Sequence, residues 1–197
     1  MSAARMMLTT MTMTEKEKCQ AGMLYDANND LDLIKEREWC KCRCHELNNI
    51  SPDNPDKRRQ VLKSLLGKVG EQFEILSPFY CDYGYNIEIG ESFFANHNLV
   101  ILDGAKVTFG DNVFIGPSCG FHTATHPLDV ERRNAGLEWA HPITVGNNVW
   151  FGANVTVLLG VTIGDNCVIG AGSVVTHDIP ANVVAFGNPC RVQRSLE

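Results

Sequence analysis

Six histidines (His45, His97, His122, His126, His141 and His177) are the side chains here best suited to moving a proton near neutrality, because an unperturbed imidazole titrates near ~6.5. His126 stands apart from the others. It sits in T-A-T-H-P, where Pro127 biases the residue before it towards an extended backbone. It also roots a charged, aromatic stretch, HTATHPLDVERRNAGLEWAHP, of the kind that leaves a regular scaffold. By itself a polar loop histidine is more often an ordinary surface residue than a base, and His122, four positions earlier, could support it or merely neighbour it. The thiols carry a weaker signal. Cys40, Cys42 and Cys44, followed by His45, superficially suggest a metal site. On a helix, however, Cys40 and Cys44 share a face while Cys42 points away. Closed zinc sites usually come from C-x-x-C pairs on turns, and no second pair lies nearby, so reduced thiols without metal are expected. Cys19, Cys81, Cys119, Cys167 and Cys190 are scattered, and no Ser or Cys stands in the setting of an activated nucleophile. The chain has neither a G-x-G-x-x-G nor a phosphate-binding P-loop.

The elements that must hold these residues follow from a repeat. Val145, Phe151, Val157, Ile163, Ile169 and Val175 recur at every sixth position, and Gly146, Gly152, Gly164 and Gly170 follow four of them. Six residues make one short strand and one tight corner. Asp111-Asn112, Asn147-Asn148 and Asp165-Asn166 fill matching corner slots, where Asn and Asp tolerate left-handed backbone geometry. Three sides give a coil of about eighteen residues, a solenoid in which each coil buries its apolar column against the next. Val145 then stacks on Ile163, Phe151 on Ile169 and Val157 on Val175. Val149, Val155, Val161, Cys167 and Ser173 fill a second inward position. Towards the N-terminus the frame slips: Ile89, Ala95, Ile101 and Val107 fit one series, whereas Phe109, Ile115 and Phe121 fit a series shifted by two.

Bulk properties set the limits. A 197-residue chain with 44% hydrophobic and 20% charged residues fits one domain plus a small appendage, not a disordered chain. A net charge of -6 argues against nucleic-acid binding, and Lys57-Arg58-Arg59 is too short a basic run to reverse that. No apolar run reaches the ~18 residues of a membrane span, and the N-terminus lacks the apolar core of a secretory signal, so a cytoplasmic protein is expected. Residues 1–13 read as a loose tail. Residues 14–70 form a helical cap, with helices over Glu15–Leu24, Asp32–Leu47 and Pro55–Leu66. Residues 71–197 are the repeat domain, with a loop protruding over about 122–142.

The segments G-N-N-V-W-F-G-A-N-V, G-V-T-I-G-D-N-C-V-I-G-A-G-S-V-V-T and D-I-P-A-N-V-V-A-F-G-N-P-C-R-V resemble the hexapeptide-repeat acyltransferases. With A-G-M-L-Y-D-A-N-N-D, C-D-Y-G, F-F-A-N-H-N and A-T-H-P, the chain resembles their maltose, galactoside and nodulation-type sugar O-acetyltransferase branch over roughly residues 15–196. The resemblance implies a mainly β protein, a left-handed parallel β-helix with a small N-terminal α-helical cap. It also implies a homotrimer with its sites between subunits, acetyl-CoA as donor and a sugar hydroxyl as acceptor.

Residue by residue, the resemblance makes His126 the general base and Asn96 the amide that assists the transition state. Asp82 becomes an acceptor contact, Asp103 and Asp26 become looser candidates for the acceptor side, and Glu138 in the external loop would orient either His126 or the acceptor. Trp150, Ala153, Ala171, Thr176, His177, Arg191 and Arg194 would line the donor groove, with the arginines on its phosphates. Without a convincing nucleophile, direct attack in a ternary complex is expected. The rival readings are an antibiotic O-acetyltransferase, a zinc lyase like the gamma-type carbonic anhydrases built on His97, His122 and His126, and a non-catalytic solenoid.

Overall fold

The computed structural model describes residues 13–196. The expected tail therefore lies, apart from Met13, outside the described residues. Helix α1 (Glu15–Gln20) opens on a reciprocal capping box, in which the Thr14 hydroxyl accepts from the Glu17 N–H while Glu17 accepts from the Thr14 N–H. Helix α2 (Leu31–Asn48) is capped by Asp30, and α3 (Pro55–Leu65) by Asn54 with Pro55 in its first turn. Leu33, Cys40, Cys44 and Leu47 form the buried face of α2.

From Phe73 onward the chain winds as a parallel β-solenoid with three sides. The first side stacks Phe73–Ile75, Phe93–Ala95, Phe114–Ile115, Trp150–Phe151, Val168–Ile169 and Val183–Gly187, and is closed by the antiparallel strand Cys190–Ser195. The second stacks Phe79–Cys81, Leu99–Leu102, Gly120–His122, Thr156–Leu158 and Val174–Val175. The third stacks Ile87–Ile89, Val107–Phe109, Ile143–Val145 and Thr162–Ile163. The expected columns hold: Val145 registers with Ile163, Phe151 with Ile169, and Val157 with Val175. Val149, Val155, Val161, Cys167 and Ser173 are all buried. Down the centre runs an edge-to-face stack of Phe93, Phe109, Phe121 and Phe151, with ring centroids 4.9 to 5.3 Å apart.

The corner from third side to first is regular. Asn112, Asn148, Asn166 and Asn182 all take positive φ there, and the last three pass a hydrogen-bond ladder from amide to amide at 2.9 and 2.8 Å. Glycines on the other edge let coils touch: a Cβ on Gly152 would come within 2.6 Å of the Ala171 backbone nitrogen.

The corner from second side to third holds every irregularity of the wider coils. Ile89 registers with Phe109 and Ile87 with Val107, so the inward series of Ile89, Ala95 and Ile101 passes to Phe109 and not to Val107. The two-residue slip is the insertion at residues 103–106, stacked on a matching insertion at 82–86. One coil later the same corner carries the long excursion. That excursion is more ordered than a loop. Ala124–Thr125 pairs antiparallel with Leu137–Ala140, which pairs in turn with Tyr25–Asp26 of the N-terminal segment, and α4 (Val130–Asn134) bridges the tip. The helical segment is thus bound to the solenoid through the strand that carries Glu138.

Candidate functional site

The widened corner gathers the acidic and imidazole side chains. The His126 Nδ1 lies 3.1 Å from the Leu137 carbonyl oxygen, which can only accept, so Nδ1 donates and carries the proton of the neutral ring. Nε2 is left with its lone pair and faces the Glu138 Oε1 at 3.7 Å. The other oxygen of Glu138 accepts from the Tyr25 hydroxyl at 3.2 Å. Glu138 therefore stands on the reactive side of the ring. The orienting contact is the Leu137 carbonyl, one residue earlier on the same strand. Burial raises the Tyr25 hydroxyl pKa far above its ordinary range, so it stays a donor.

Beside this pair a polar cavity of about 160 Å³ is lined by Tyr25, Asn28, Arg37, Asp82, Tyr83 and Glu138, among others. Burial pushes the Asp82 carboxyl above the usual carboxylate range, opposed by the Arg37 guanidinium. Arg37 is held by the Tyr83 hydroxyl and the Ala27 carbonyl, both at 2.6 Å. Tyr25, Arg37, Tyr83 and Leu137 were not singled out in the sequence. Tyr25 and Leu137 join the site through strand pairing, and Arg37 and Tyr83 by packing of α2 on the corner, none of which leaves a local motif.

Two candidates for acceptor contact are placed otherwise. Asp103 is fully buried. Its Oδ1 accepts from the Asp82 and Tyr83 N–H groups at 3.0 and 2.9 Å, and its Oδ2 from the Gly84 N–H at 2.7 Å. Burial, with Asp82 nearby, raises its carboxyl to about 6. Asp103 thus shapes the corner from beneath, and an acceptor cannot reach its oxygens. Asp26 spends its Oδ1 on the N–H groups of Asn28 and Asn29 at 3.2 and 3.0 Å, holding the turn at the rim of the cavity. Both Asp103 oxygens are thus taken by backbone N–H groups, whereas the Oδ2 of the part-exposed Asp26 accepts from the Asn29 amide alone.

The remaining candidates lie elsewhere on the prism. Asn96 follows the strand Phe93–Ala95, at the corner from first side to second, where its Oδ1 accepts from the His97 N–H at 2.8 Å. Ala153 and Ala171 occupy that same corner in later coils. Trp150 is 56% exposed on the first side, and the exposed Arg191 and Arg194 lie on its closing strand. Thr176 and His177 sit at the other corner, joined at 2.8 Å. Within one chain the structure does not bring Asn96 to His126. They stand on different edges of the prism, separated by a whole side. Nor do His97, His122 and His126 converge: His97 is tied to the Ser77 carbonyl on the Asn96 edge, and burial lowers the His122 pKa. Among the described residues, the group with metal-ligand geometry is Cys40, Cys44 and Cys81.

Residues 18–70 match the maltose acetyltransferase hexapeptide capping motif, and residues 142–177 match the hexapeptide repeat of succinyl-transferase. The galactoside O-acetyltransferase of Escherichia coli strain K12 is 45% identical over 94% of this chain and 91% of its own. Among solved structures, a maltose O-acetyltransferase from Clostridium difficile 630 superposes with a TM-score of 0.92 at 51% identity, covering 94% of this chain and 98% of that one. A galactoside acetyltransferase in complex with coenzyme A superposes with a TM-score of 0.91 at 45% identity, covering 94% and 92%. No described helix is long and apolar enough to cross a membrane. A helical cap running into a hexapeptide-repeat solenoid, at this identity over nearly the whole length, places the chain in the maltose- and galactoside-type O-acetyltransferase family.

Proposed function

We propose that the chain transfers an acetyl group from acetyl-CoA to a hydroxyl of a glucose- or galactose-type sugar, with His126 as general base. The observation that carries this reading is the tautomer. With Nδ1 donating to the Leu137 carbonyl, Nε2 keeps its lone pair and faces Glu138, which lines the neighbouring cavity together with Asp82. A sugar hydroxyl hydrogen-bonded to Nε2 gives up its proton as its oxygen attacks the thioester carbonyl. The C–S bond then breaks, and the thiolate of coenzyme A leaves and takes a proton. Glu138, at 3.7 Å, stabilises the imidazolium formed in between. Asp82 accepts hydrogen bonds from other hydroxyls of the sugar, and Asp103 and Asp26 hold the walls behind it. A small polar cavity with two carboxylates suits a polyhydroxylated ring better than the apolar antibiotics of the rival reading.

The donor strip runs along the first side and its corner, through Trp150, Ala153 and Ala171 to Arg191 and Arg194, which suit the anionic nucleotide end. Thr176 and His177 would meet it from the other edge. Because Asn96 and His126 lie on different edges, the complete site needs a second copy. The Asn96 amide of one protomer supplies the oxyanion donor for the His126 of its neighbour. A homotrimer closes such a head-to-tail contact with threefold symmetry. Apolar side chains turned outward on two sides support this assembly, notably Tyr80, Phe114 and Trp150, which are all about half exposed. We place the protein among soluble cytoplasmic enzymes without nucleic-acid partners, in keeping with its acidic charge.

The test is release of free thiol from acetyl-CoA against a panel of galactosides, glucosides, maltose, chloramphenicol and streptogramins. Turnover with the sugars supports the reading. Turnover confined to the antibiotics would replace it.

A further inference from the structure

Cys40 and Cys44 lie one helical turn apart on the buried face of α2, and the strand Phe79–Cys81 brings Cys81 against them from the first coil. The Cys81 sulfur is 3.5 Å from that of Cys40 and 3.8 Å from that of Cys44, and all three lie within 4.8 Å of one another. A tetrahedral cation bound to three thiolates at about 2.3 Å holds its sulfurs about 3.8 Å apart. The trio already stands close to that spacing. The other inward thiols look different. Cys19, Cys119 and Cys167 stand singly, each with its sulfur at 3.1 to 3.2 Å from a backbone carbonyl, as small packing residues do. Cys44 and Cys81 instead have sulfur for their side-chain partner, and Cys40 divides between the Cys81 sulfur at 3.5 Å and the Cys81 carbonyl at 3.3 Å. A cavity of about 400 Å³, lined by Lys41, His45, Asn48 and Tyr80 among others, reaches both Cys44 and Cys81 and gives an entry path.

We propose that Cys40, Cys44 and Cys81 form a binding site for one thiophilic cation. Three sulfur ligands without a carboxylate select a soft or borderline ion such as Zn²⁺, Cu⁺ or Cd²⁺ over Mg²⁺ or Ca²⁺. With a divalent ion, three thiols bind through sulfur and release three protons to solvent, leaving a complex of net charge minus one. The Lys41 ammonium, in the lining of the entry cavity, offsets that charge. The fourth coordination position opens on the cavity and takes water. The site joins α2 to the residue preceding Asp82. On the reading of Asp82 as an acceptor contact, occupancy therefore alters the acceptor KM more than the acetyl-CoA KM.

The test titrates the full-length chain, reduced with a phosphine and free of oxygen, with Cd²⁺ while following the ultraviolet sulfur-to-cadmium charge-transfer band. The expected result is saturation at one equivalent per chain, loss of the band in Cys44→Ser and in Cys81→Ser, and its retention in Cys42→Ser, whose thiol is exposed and faces away from the trio. Far-ultraviolet circular dichroism checks that each variant is folded. The cadmium NMR resonance of the unaltered chain reports a three-sulfur shell without relying on any variant. A band that survives in folded Cys44→Ser and Cys81→Ser, a band lost in Cys42→Ser, no saturable band, or a resonance without a three-sulfur shift would each overturn the proposal. The absorbance readout does not depend on catalysis, so its failure is separable from failure of the acetyltransferase reading.

Discussion

Glu138→Gln probes the His126 geometry most sharply, because it removes one charge while keeping the shape. In the structure the Glu138 Oε1 lies 3.7 Å from the His126 Nε2. Two unit charges at that distance attract by about 1 kcal/mol in a water-like dielectric and by about 4 kcal/mol at an effective value of 20. The His126 side chain is 48% exposed and that of Glu138 16%, so solvent screening keeps the effect near the lower end. A loss of about 1 to 2 kcal/mol in the transition state, where the ring becomes an imidazolium, lowers kcat roughly tenfold. The Gln amide can still accept from the Tyr25 hydroxyl, so the fold and the acetyl-CoA KM should stay unchanged. Steady-state thiol-release kinetics at saturating sugar give the number. If kcat is unaltered and only the acceptor KM rises, Glu138 binds the sugar without stabilising the imidazolium, and the electrostatic part of the mechanism is wrong.

Three further outcomes are expected. The Asp103 carboxyl, raised by burial to about 6, lies above its unfolded value near ~3.9, so the fold favours its protonated form. Its contribution to stability is therefore full below about pH 4 and declines as pH rises through about 6, by up to about 3 kcal/mol. Denaturant midpoints measured between those limits should lose that slope in Asp103→Asn relative to the unaltered chain, and parallel profiles would contradict the assignment. Phe121 is fully buried between Phe109 and Phe151, so Phe121→Ala should cost about 3 to 5 kcal/mol and lower the thermal midpoint accordingly. Co-expressed Asn96→Ala and His126→Ala chains, each inactive alone, should recover about a quarter of the normal sites when mixed at random in a cyclic oligomer. No recovery would place both residues in one subunit's site.

The solenoid was legible because six residues per side is a local rule: the same inward slots and the same Asn corners recur without reference to distant chain. Even the slip of two near Val107 was visible, although only the pairing of Ile89 with Phe109 locates it at residues 103–106. Asp103, which the resemblance assigns to the acceptor side, falls at that shift. A frame error of one position decides whether a side chain faces solvent or the corner's own N–H groups. The excursion around His126 reads as a loop because a hairpin joined to a two-residue strand 113 positions away leaves no period to detect. The partnership of Cys81 with Cys40 and Cys44 is hidden for the same reason. Helical spacing announces the pair on α2, and only tertiary packing supplies the third sulfur.

In the proposed mechanism His126 removes the acceptor proton in a ternary complex. Pre-steady-state acetyl transfer by His126→Ala, with the sugar that the panel selects, tests it most directly. The expected result is a fall of about 10²- to 10⁴-fold in the transfer step, with coenzyme A binding retained and no acetylated protein by mass. Near-full turnover in His126→Ala, or a trapped acetyl-enzyme in the unaltered chain, would contradict it.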